Sequence, residues 1–101
     1  MSVAVVMNFK GATPEQYDRV IEQMGFEPGG AGASGGLFHW VAVSDDGIRV
    51  TDVWETAEQF QRFAEERIGP ITEAVGVPAP PELEYYDVHN YLTAGPAGAV
   101  R

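Results

Sequence analysis

The most reactive pair in this sequence is a histidine and an aspartate, set in two neighbouring stretches rich in apolar and β-branched residues, Leu37–Val43 and Ile48–Trp54. Between them lies Ser44-Asp45-Asp46-Gly47, whose Asp-Gly pair signals a hairpin. If Ser44 and Gly47 close the turn directly, His39 stands opposite Asp52 and Leu37 opposite Trp54. A three-residue loop with a bulge at Gly47 slides the pairing by one and sets Trp40 opposite Asp52 instead. In the first register the carboxylate fixes the tautomer of the imidazole and raises its basicity, the preparation of a general base. The plain alternative is a histidine that is merely hydrogen-bonded within the sheet. Asn8, near the end of the apolar run Val3–Phe9, could donate to a substrate oxygen or a developing oxyanion, or could end the strand by bonding its own backbone. His39, Asp52 and Asn8 are therefore the candidate catalytic residues. Candidates for substrate contact are Trp54 and, near the C-terminus, Tyr86, His89 and Asn90. Strand alternation sends Tyr85, His89 and Tyr91 to one face and Tyr86, Val88 and Asn90 to the other, and which face turns inward stays open. A subunit contact is the alternative for the tyrosines. Arg49 either attracts an anionic substrate or pairs with a charge across the strands.

Regular elements must hold these groups in place. Val3–Phe9 is apolar on both faces, as an interior strand covered on each side would be. Thr13-Pro14-Glu15-Gln16 combines an N-cap oxygen, a proline at the first helical position and a reciprocal Gln. Tyr17, Val20, Ile21 and Met24 then follow at helical spacing, with Gly25 placed for a left-handed C-terminus. Glu27–Gly36 holds five glycines and a proline and reads as a mobile loop ahead of the hairpin. Thr56-Ala-Glu-Gln59 repeats the capping pattern, and Phe60, Phe63, Ala64 and Ile68 stripe a second helix expected to end at Gly69-Pro70. A short third helix over Pro70–Val75, a stiff connector Val77-Pro-Ala-Pro-Pro81 and a last strand over Leu83–Leu92 complete the order. The result is β-α-β-β-α-β, a ferredoxin-like α+β fold: a four-stranded antiparallel sheet with helices on one face. Residues 1–93 form the domain, and Ala94–Arg101, rich in Gly, Ala and Pro, is read as a flexible tail.

Composition narrows the function. The 101 residues carry 6 Lys plus Arg against 15 Asp plus Glu, a net charge of −9 that repels nucleic acid and anionic membranes. There is no cysteine, hence no thiolate nucleophile, disulfide or Cys-ligated metal, and the two histidines are far apart in sequence. The glycines are not followed by the Lys-Ser/Thr of a phosphate loop. Met1–Phe9 lacks the basic start of a signal peptide and no apolar run is long enough for a membrane span, so a cytoplasmic location is expected. A sheet with two partly apolar faces and helices for only one of them calls for a second subunit, and a homodimer is expected.

In element order, in length, in Leu37-Phe-His-Trp40 at the start of the hairpin and in Asp52-Val-Trp-Glu55 feeding a helix with Phe60 and Phe63, the chain resembles a known family. It is similar to the antibiotic-biosynthesis-monooxygenase-like proteins of the dimeric α/β-barrel superfamily. That resemblance implies two sheets stacked face to face, a pocket in each subunit between sheet and helices, and oxidation of aromatic polyketides by dioxygen with no cofactor. A haem-degrading branch of the superfamily uses an Asn on the first strand, a Trp at the end of the third and a His on the following helix. Asn8 and Trp54 match the first two, but Glu55–Gly76 contains no histidine. The resemblance thus points to a cofactor-independent monooxygenase acting on a small apolar aromatic or polyketide-like substrate. His39 would be its base with Asp52 behind it, Asn8 would steady the enolate oxygen, and Trp54 would stack on the ring. An isomerase or cyclase could use the same pocket, and a non-catalytic dimeric binding or accessory domain is the rival. A pocket where His39, Asn8 and Trp54 converge would favour the enzyme.

Overall fold

A computed structural model describes residues 2–92; the tail expected from Ala94 onward lies outside them. The elements are β1 (Val3–Lys10), α1 (Pro14–Met24), β2 (Gly36–Ser44), β3 (Gly47–Trp54), α2 (Ala57–Phe63), a π-helical turn (Ala64–Ile68), α3 (Gly69–Val75) and β4 (Glu82–Asp87). The strands form one antiparallel sheet in the order β2-β3-β1-β4. This is the ferredoxin-like arrangement expected from the sequence.

Alternation along the strands decides which side chains meet the helices. Val3, Val5, Met7 and Phe9 of β1 are buried together with Ile48, Val50 and Trp54 of β3, and Phe60 of α2 closes over them. Ala4, Val6 and Asn8 point to the other face and are only half-buried, so β1 is interior to the sheet but helices cover one side of it. The capping box of α1 forms in both directions between Thr13 and Gln16, and Gly25 ends the helix at φ 83°.

The hairpin forms as expected, turning on Asp45 and Asp46 with Ser44 paired to Gly47, the direct closure of the two registers. Gly47 meets a further need: a Cβ there would overlap the carbonyl oxygen of Phe9 on the neighbouring strand. Three local expectations are corrected. Leu37 does not oppose Trp54, because Gly36 does, and Leu37 is the extra residue of a bulge before Phe38 resumes pairing with Val53. The second helix does not stop at Gly69-Pro70. It widens into the π turn, with the Gly69 amide bonding back to Ala64, and continues as α3. A proline ring clashes with the carbonyl four residues back in an α-helix and offers no N–H, and the wider turn relieves both problems. Lastly, β4 ends at Asp87 rather than Leu92. Its partner β1 begins at Val3, which pairs with Asp87, and the Val88 amide reaches Ser2; among the described residues β1 extends no further to pair with it.

The glycine-rich segment before β2 is tied down at its far end. The Gly36 amide donates to Ala33, the Glu55 amide donates to the Gly35 carbonyl, and Ala33 packs on the core.

Candidate functional site

The direct register places His39 opposite Asp52, and Asp52 in turn faces Val5 on the helix-covered side of the sheet. His39 Nδ1 lies 2.5 Å from Asp52 Oδ1. Trp54, two residues along on the same face, donates its Nε1–H to Asp52 Oδ2 at 3.0 Å. The other imidazole nitrogen, Nε2, lies 2.5 Å from the hydroxyl of Tyr17 on α1. Four side chains from two strands and one helix thus form a continuous hydrogen-bonded line.

Its polarity follows from the donors available. The indole N–H can only donate, so Asp52 Oδ2 accepts from it, and Oδ1 accepts the Nδ1–H of His39. In the neutral imidazole this leaves the Nε2 lone pair to accept the phenolic O–H of Tyr17. The Tyr17 and His39 rings are inclined at 11° with centroids 5.9 Å apart, the separation of two rings joined edge to edge through such a bond. Burial, and then the charges of Asp52 and Asp18, push the Tyr17 hydroxyl up to about 12, so it holds its proton. Asp52 is 6% exposed, and a carboxylate is tolerated at that depth only with its oxygens satisfied. No buried side-chain polar atom among the described residues lacks a partner.

The helix that carries Tyr17 is fixed at both ends. Gln16 Nε2 donates to the Gly76 carbonyl just past α3, and Arg67 of the π turn donates to the carbonyl of Met24. Tyr17 was legible only as the first member of an apolar helical stripe. Its signal was the hydroxyl, since an inward tyrosine requires a polar partner, and the hairpin brings the His39–Asp52 pair beneath it.

Other expected site residues lie elsewhere. Asn8 is on the open face of the sheet, where its side-chain oxygen accepts the Nε–H of Arg49 at 2.9 Å, so it does not converge with His39. That bond also answers Arg49, whose cross-strand partner is an amide and not a charge. Tyr86 shares the open face and donates to Glu84 at 2.6 Å. His89 and Asn90 follow the end of β4 and are exposed, so strand alternation assigns them no face. Trp54 is buried against Phe60 and Phe63.

A cleft of about 710 Å³ does open between sheet and helices, but on the β1–β4 side. Met7 and Leu83 form its sheet side, Phe60, Ala64 and Ile68 its helical side, and the proline connector one end. None of Tyr17, His39, Asp52 and Trp54 lines the cleft; Phe60, which does, packs edge-on against Trp54 at the end of their line, with ring centroids 5.9 Å apart. No histidine lines the cleft, so its residues do not fit a haem that needs an axial nitrogen. Among the described residues no cluster of His, Asp and Glu could hold a metal ion, and no helix is long and apolar enough to cross a membrane.

Comparison with known proteins bears on this geometry at the level of fold. No protein family matches the chain by sequence, and no curated protein does. Solved structures do match. A dimeric ferredoxin-like protein of unknown function from Thermobifida fusca superposes with a TM-score of 0.61 at 13% identity, covering 87% of this chain and 92% of that one. A protein assigned to the antibiotic biosynthesis monooxygenases from Chloroflexus aurantiacus gives 0.60 at 20% identity, over 94% and 100%. SnoaB, a cofactor-independent oxygenase from Streptomyces nogalater, gives 0.58 at 17%, over 90% and 96%. The chain therefore has the fold of the antibiotic-biosynthesis-monooxygenase-like proteins.

Proposed function

We propose that this protein is a cofactor-independent monooxygenase acting on a small apolar aromatic or polyketide-like molecule, with His39 as its general base. The observation that carries the reading is the imidazole itself: a buried carboxylate on Nδ1, and a phenolic hydroxyl already hydrogen-bonded to Nε2. A base so held accepts the proton of a ring hydroxyl or activated methylene, and Asp52 stabilises the imidazolium that forms. The resulting carbanion passes its electrons to dioxygen. In sum a ring CH2 and O2 become a ring carbonyl and water. The shared fold with a cofactor-independent oxygenase supports this reading. The test is oxygen uptake with anthrones and hydroquinones. His39→Ala should remove most turnover while the protein stays folded; unchanged activity per folded molecule would make the histidine structural.

A second reading, a non-catalytic small-molecule-binding domain, is favoured by one observation. His39 is not among the residues that line the cleft, so a molecule held there does not touch the base. Under that reading an aromatic ligand perturbs Ile68 and Leu83 in NMR spectra and leaves His39 unmoved.

On either reading the open face of the sheet joins two copies. Phe38 and Trp40 stand there 43% and 42% exposed, and a structural neighbour is dimeric. Light scattering at micromolar concentration should give about twice the chain mass of 10.9 kDa.

A further inference from the structure

The lone pair that makes His39 a base is already occupied, since the Tyr17 hydroxyl sits 2.5 Å from Nε2. We infer that Tyr17 is an internal phenol seated where a ligand's hydroxyl belongs, and that Nε2 of His39 is a binding position for hydroxylated aromatic rings that displace it. The inference rests on the reading of His39 as the base.

The geometry allows the exchange. The Tyr17–His39 bond is at the surface and the His39 side chain is 43% exposed, so an incoming hydroxyl reaches Nε2 from solvent. The displaced ring also has somewhere to go. A pocket of about 110 Å³ adjoins Tyr17, lined by Pro14, Val41, Ala42, Val43 and Ile48 together with Asp18, a mostly apolar space that can take a tyrosine ring. Swapping one phenol for another conserves the hydrogen bond and so costs little. A ring without a hydroxyl gains nothing at Nε2, which makes the position selective for hydroxylated rings. Tyr17 thereby keeps the base covered until such a ring arrives.

The experiment is binding without turnover, under nitrogen, on the full chain. Naphthol and naphthalene are titrated separately while the histidine ring nitrogens and the Trp54 indole N–H are followed by NMR. Naphthol should shift His39 Nε2 and naphthalene should not. Tyr17→Phe, which keeps the ring but gives up the competing hydroxyl, should bind naphthol roughly tenfold tighter, the worth of one neutral hydrogen bond. Val41→Phe, which fills the adjoining pocket, should bind it more weakly than the wild type. An unshifted Trp54 N–H in each variant shows that the fold is intact. The inference is overturned if Tyr17→Phe binds naphthol no tighter than the wild type, or if His39 Nε2 does not move at saturation. Oxygen uptake that Tyr17→Phe abolishes would leave the oxygenase standing and overturn the displacement. Naphthol bound at His39 with no substrate ever turned over would do the reverse.

Discussion

Asp52 is the only buried charged side chain among the described residues, and each of its oxygens accepts a hydrogen bond. Asp52→Ala strands the buried Trp54 N–H and removes the acceptor for His39 Nδ1, so it should cost about 2–4 kcal/mol, read as a lower urea midpoint. Asp52→Asn keeps one acceptor oxygen and sets an amide N–H against a donor, and should fall between the two. Tyr17 makes stability pH-dependent at the alkaline end. Its hydroxyl titrates at 10.0 in the unfolded chain and at about 12 in the folded one, so between these values the unfolded state binds fewer protons. The stabilisation is complete below pH 10 and is lost as pH rises towards 12. Thermal melts over that window should fall more steeply for the wild type than for Tyr17→Phe. Tyr86, raised by its bond to Glu84, is common to both proteins and drops out of the comparison. At this scale the His39–Asp52 opposition was legible because strand pairing offers only two close registers. Asn8 was misplaced because β1 is apolar on both faces and composition cannot say which face the helices cover. Tyr17 was hidden by a periodicity that counts its ring and ignores its hydroxyl.

At the scale of elements, Gly47 is the most demanding position. A Cβ there would meet the Phe9 carbonyl, which is main chain and cannot turn aside, where β3 pairs with the end of β1. Gly47→Ala should therefore cost about 2 kcal/mol or more and accelerate amide exchange at Phe9 and Lys10. The two N-caps and the hairpin were readable because each rests on a few adjacent residues: Thr13 and Thr56 accept the amides of Gln16 and Gln59 as their spacing implies. The bulge at Leu37 and the short β4 were not readable in this way. Both depend on where a partner strand begins or ends, information that lies far away in the chain. The tyrosines of 85–91 favour extended structure, yet a strand stops where its neighbour does.

For the whole molecule, a charge of −9 sets two like-charged copies against each other, so a dimer through the open face should tighten as salt rises. Trp40→Glu, which adds a charge to that face without touching the core, should reduce the light-scattering mass to that of one chain. If Trp40→Glu remains a dimer, the subunits meet elsewhere. The π turn has a further consequence for the molecule as a whole. A wide turn of this kind is equivalent to one residue more than an α-helix requires. In an unbroken α-helix each interval of four residues rotates a side chain about 40° round the axis. The wide turn offsets that drift and keeps Phe60, Ala64 and Ile68 on one line along the cleft. Delete one residue between Ala64 and Ile68 and the helix could run on as regular α with everything after it in its present phase, whereas one residue more that the turn cannot absorb would swing everything after it by about 100°. After such an addition Thr72 and Glu73 would leave the cleft, and one side of the binding volume would go with them. The capacity to hold a ligand thus tolerates one residue fewer at this point of the chain and not one more, an asymmetry that no change of side chain can produce.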